Sequence, residues 1–71
     1  MTKAELFDAY RSYVLKKIAR SKNPLGVGTM TLVGKAVQKK FDVSEAGAEK
    51  WLAGLRDDGA VVFTNGHWWA R

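Results

Sequence analysis

The sequence predicts an α+β fold: three helices, then a C-terminal two-stranded hairpin, with a short third strand near residues 25–28. Three observations predict it. Apolar residues recur at helical spacing in three separate stretches. A Thr and a Ser stand where helix caps belong. Asn65-Gly66 separates two short runs of β-type residues near the end of the chain. The 71 residues make one small domain, and domains of that size bury a limited core and are marginally stable. No cysteine is present, so no disulfide adds to that stability. The aromatic residues must supply much of the buried area.

Thr2-Lys3-Ala4-Glu5 reads as a capping box, with Thr2 as the cap and Glu5 reaching back. Leu6, Phe7, Tyr10, Tyr13, Val14 and Ile18 follow on one stripe, so the first helix is expected over about residues 3–21. Leu15 falls off the stripe, either as a scattered surface leucine or as part of a second contact or dimer face. Ser21-Lys22-Asn23-Pro24 stops the helix, because proline cannot continue it and pushes Asn23 to an extended form. Leu25-Gly26-Val27-Gly28 is too short for a helix and reads as one brief strand.

Thr29 or Thr31 can cap a second helix. Leu32, Val33, Ala36, Val37 and Phe41 form its inner side, with Lys35, Gln38 and Lys39 outside. Phe41-Asp42-Val43-Ser44 is a tight break. Ser44 then caps a third helix, with Glu45 in the first turn where negative charge suits the helix dipole. Ala48, Trp51, Leu52 and Leu55 carry it inward to about Arg56, and Gly59 after Asp58 is its left-handed cap. In the hairpin, a turn at Asn65-Gly66 sets Thr64 opposite His67, Phe63 opposite Trp68 and Val62 opposite Trp69. Alternation then gives one face of Val61, Phe63, Trp68 and Ala70, and another of Val62, Thr64, His67 and Trp69.

The order of elements and three motifs resemble the winged-helix family of helix-turn-helix domains. Val33-Gly34-Lys35-Ala36 looks like the apolar-x-x-Ala of the family's second helix, and Phe41-Asp42-Val43-Ser44 like its apolar-x-Val-Ser turn. Leu52-Ala53-Gly54-Leu55 with Asp58-Gly59-Ala60-Val61 resembles the exit from the third helix into the wing. The alternative is a three-helix bundle with an appended hairpin. Under the resemblance Val61 faces the core and takes Phe63 and Trp68 with it. Trp69 is then left on the outer face, either to cover Val62 or to act as a stacking or interface anchor.

The formal net charge is +5, unevenly spread. Residues 1–41 carry nine Lys/Arg against Glu5 and Asp8, whereas residues 42–71 carry three against five acids. A basic half suggests an anionic partner; ordinary solubilising charge is the plain alternative. Lys16, Lys17, Arg20 and Lys22 crowd the end of the first helix, where they either favour the dipole or contact phosphate.

In the winged-helix family the third helix usually enters the major groove, while the wing and second helix touch backbone or minor groove. The resemblance implies a DNA-binding regulator or an accessory factor of a DNA-handling assembly. Lys35, Lys39, Lys40, Ser44 and Lys50 would then hold phosphate, with Asn65, His67 and Trp69 at the wing. Two departures weigh against base reading. The outer face of the third helix (Glu45, Ala46, Glu49, Lys50, Ala53, Asp57) is acidic, and the wing tip Thr64-Asn65-Gly66-His67 has no Lys or Arg. The alternative function is a protein-interaction module built on Ala46, Gly47, Lys50, Ala53 and Gly54 with Trp69. A homodimer or a protein partner is compatible with either reading.

Enzyme chemistry is not expected. With one His and no Cys the usual zinc ligand sets are missing, and no metal or cofactor is expected. Gly28 to Gly34-Lys35-Ala36 misses the phosphate-loop pattern in both spacing and the final hydroxyl. No run is long and apolar enough to span a bilayer, and no signal pattern opens the chain. The expectation is a soluble, cytoplasmic protein without a membrane partner.

Overall fold

A computed structural model of the chain describes residues 2–21 and 26–71. The elements are α1 (Lys3–Arg20), α2 (Thr29–Val33), α3 (Lys35–Phe41), α4 (Glu45–Asp57), β1 (Val61–Thr64) and β2 (His67–Ala70). The fold is α+β, with helices followed by an antiparallel hairpin. The predicted stop at Lys22-Asn23-Pro24 and the first residue of the predicted strand, Leu25, lie outside the described residues.

α1 begins on the predicted capping box: the Glu5 amide donates to Thr2 Oγ1 at 3.1 Å, and the Glu5 carboxylate accepts from the Thr2 amide at 3.4 Å. α4 begins on Ser44, whose Oγ accepts from the Gly47 amide at 3.1 Å. It ends with Gly59 at φ 80 and with Gly59 and Ala60 amides donating back to Arg56 and Leu55, a Schellman arrangement. Asn65 and Gly66 take φ 53 and 78, the two positive angles of a type I′ turn, and the hairpin register is the predicted one from Thr64↔His67 to Val61↔Ala70.

The second predicted helix is two helices. Gly34 between them is extended (φ −72, ψ −174) and buried, and a Cβ there would collide with the Met30 carbonyl oxygen. The break frees carbonyls that a continuous helix would have used, and side chains take two of them. Tyr10 donates its hydroxyl to the Leu32 carbonyl at 2.8 Å, and Gln38 Nε2 donates to the Val33 carbonyl at 3.0 Å. The new direction turns Ala36 outward, so it is exposed and not part of the inner side. Neither threonine caps α2. Its N-cap is Gly28, and the Thr29 hydroxyl instead accepts the Trp68 indole N–H at 2.9 Å.

The core gathers Tyr10 and Val14 of α1, Val27 before α2, Leu32 and Val33 of α2, Val37 and Phe41 of α3, Ala48, Leu52 and Leu55 of α4, and Val61 and Trp68 of the hairpin. Trp51 is half-buried, its ring tilted against Tyr10 at 5.3 Å and edge-on to Phe41 at 6.2 Å. Leu15 is partly buried and packs against this core, so it is not a scattered surface residue. The expected third strand is a single bridge: Val27 and Trp68 exchange both backbone hydrogen bonds, at 3.1 and 2.7 Å. That bridge puts β2 between Val27 and β1. Phe63 does not join the core. It is 44% exposed and packs against the Trp68 ring at 4.7 Å, because Trp68, at the same level of the inner strand, takes the place against the core.

Candidate nucleic-acid interface

The end of α1, the Gly26–Gly28 stretch and the end of α3 border an open groove of about 630 Å³. Tyr13, Lys16, Lys17, Arg20, Thr31 and Lys40 line it, together with the Gly26–Gly28 backbone. The lining holds four cations and no carboxylate. Among the described residues the one ion pair is Arg56–Asp57 at 4.0 Å, far from these four in the chain, so they have no acidic partner there.

The groove is built on the core. Phe41 is nearly buried, and Tyr13 meets it edge-to-face at 5.6 Å. Lys17 Nζ and Lys40 Nζ lie 5.7 and 5.8 Å from the centre of the same Tyr13 ring, within the range of cation–π attraction. One ring therefore gathers a lysine from α1 and a lysine from α3. The opposite wall depends on Gly26. Its φ of 89 suits glycine, and a Cβ there would lie 2.6 Å from the Trp68 carbonyl oxygen and 3.1 Å from the Trp69 ring.

That contact accounts for part of the role of Trp69. Trp69 is half-buried, pairs with Val62 across the hairpin and closes over Gly26. A second, smaller hollow of about 320 Å³ lies on this outer face between Val62, Thr64, Asn65, His67 and Trp69. His67 Nδ1 is 3.0 Å from the Asn65 carbonyl oxygen there.

The structure divides the sequence-predicted site residues. Lys40 belongs to the basic groove, and Asn65, His67 and Trp69 share the hairpin hollow. Lys35, Lys39 and Lys50 are exposed and, like Ser44, line neither. The Ser44 hydroxyl is occupied in capping α4. The outward side of α4 shows Glu45, Ala46, Glu49, Lys50, Arg56 and Asp57, a mixed surface with one more acid than base. The two helix glycines have intramolecular reasons. A Cβ on Gly47 would meet the Val43 side chain at 2.6 Å, and Gly54 faces the Phe7 ring at 3.4 Å. Lys16, Lys17 and Arg20 were visible in the sequence as a basic cluster; Tyr13 and Thr31 carried no signal, because only the fold sets them beside it.

Comparison with family models, curated proteins and solved structures gives no match to this chain. Among the described residues no helix is long and apolar enough to cross a membrane.

Proposed function

We propose that the chain is a winged-helix domain that binds nucleic acid, acting as a DNA-binding regulator or as an accessory factor in a DNA-handling assembly. The arrangement supports the family reading: two helices joined by a left-handed turn at Asp42, a hairpin after the second of them, and Val27 bridging to the hairpin's inner strand. The hairpin is no appendage, since Trp68 and Val61 are core residues. The observation that carries the binding reading is the groove of four cations without a carboxylate. Unpaired like charges held close repel one another, and a polyanion relieves that repulsion while releasing its own counterions.

A protein interface on α4 has less support. The Gly54 side of the helix is filled by Phe7, and Trp69 is partly engaged by Gly26. Ala46, Lys50 and Ala53 remain for such a partner.

The test is fluorescence anisotropy of a labelled generic duplex. If four phosphates are neutralised, affinity falls about 100-fold between about 50 and 200 mM salt. No rise in anisotropy at the lower salt contradicts the proposal.

A further inference from the structure

We infer that the backbone phosphates of the bound nucleic acid seat in the groove between the end of α1 and the end of α3, and not on the outward face of α4. The inference rests on the nucleic-acid reading and names the surface that carries it.

Charge decides between the two faces. The groove brings Lys16, Lys17, Arg20 and Lys40 together with no acid in its lining. The α4 face mixes Glu45, Glu49 and Asp57 with Lys50 and Arg56, and Arg56 already reaches Asp57. A phosphate brought to that face meets repulsion from at least as many charges as attract it.

Geometry supports the same choice. Lysine side chains lose rotamer freedom when they bind, and that loss subtracts from affinity. Here the Tyr13 ring, braced on Phe41, already draws Lys17 and Lys40 to one place. Tyr13 and Thr31 line the same groove, and a hydroxyl is a donor suited to phosphate oxygens. Lysines, hydroxyls and one arginine beside a glycine-rich backbone are all groups that hold sugar and phosphate.

Two double variants of equal charge change separate location from total charge. Lys16→Gln/Arg20→Gln removes two groove cations; Lys35→Gln/Lys39→Gln removes two α3 cations outside it. All four side chains are exposed, and circular dichroism checks that both variants fold. The salt dependence of duplex affinity is then measured for each. The groove variant is expected to lose about tenfold in affinity and to flatten the log–log salt slope by about 2, while the other keeps a slope close to the native one. A native slope in the groove variant, or equal flattening in the two, overturns the inference and leaves nucleic-acid binding standing. Failure of the native protein to bind the duplex at low salt overturns both.

Discussion

Lys16, Lys17, Arg20 and Lys40 crowd one groove without a carboxylate, whereas the outward side of α4 sets Glu45, Glu49 and Asp57 among Lys50 and Arg56. Both surfaces stand on one core, and both are open to solvent. Under the winged-helix reading proposed above, the helix offered to a duplex is thus the less suitable of the two for phosphate. The difference teaches that the position of an element in a fold and the chemistry of its surface are separate questions. Here the charge points to the side built from α1 and α3.

The largest expected effect comes from the residue that ties the groove wall to the hairpin. Trp68 exchanges two backbone hydrogen bonds with Val27, donates its indole N–H to Thr29 and carries Phe63 on its ring. Trp68→Ala should cost about 3–5 kcal/mol, a large share of the stability of a small domain. Urea unfolding of the variant measures this. A loss below about 1 kcal/mol would mean that the hairpin is an appendage after all, and that the groove wall stands without it.

A smaller effect is expected at Tyr10, the buried phenol that joins α1 to the interrupted helix. Tyr10→Phe leaves the Leu32 carbonyl without its donor, at a cost of about 1–3 kcal/mol. Burial, with a lesser contribution from nearby Tyr13, pushes the Tyr10 pKa above its ordinary value of 10.0. The folded state therefore keeps this proton at pH values where the unfolded chain has released it. The resulting stability is full below about pH 10 and is lost as pH rises beyond that. Denaturation of native and Tyr10→Phe protein at about pH 8 and pH 10.5 should show the gap between them narrowing. Parallel profiles would contradict the role given to burial.

The smallest effect sharpens the contrast between the two faces. Glu45→Gln/Glu49→Gln removes two exposed carboxylates from α4. If phosphate seats in the groove, distance and salt screening should hold the gain in duplex affinity to about threefold or less at about 150 mM salt. A gain above about tenfold would place the duplex against α4.

The sequence made some of this legible for local reasons. The Thr2–Glu5 box, the Ser44 cap, the Gly59 exit and the Asn65-Gly66 turn each depend on residues within a few positions of one another, and each appears in the structure as read. The misses depend on distant partners. Thr29 does not cap its helix because an indole 39 residues away occupies its hydroxyl. Gly34 breaks the predicted second helix, where its extended backbone approaches Met30 and where Tyr10 from α1 meets a freed carbonyl. Phe63 had the correct face but not the burial, because Trp68, bridged to Val27 on the inner strand, takes the place against the core. The groove shows the same division. Its α1 cations were visible as a run, but their meeting with Lys40 across Tyr13 needs the packing of α1 on Phe41.

The most direct test of the groove as the phosphate site is a titration of isotope-labelled protein with a generic duplex, followed by NMR at about 50 and about 200 mM salt. Salt-sensitive shifts should centre on Tyr13, Lys16, Lys17, Arg20, Gly26–Gly28, Thr31 and Lys40, with smaller changes along the outward side of α4. Shifts centred on Glu45, Glu49 and Lys50, with the groove residues unmoved, would contradict it.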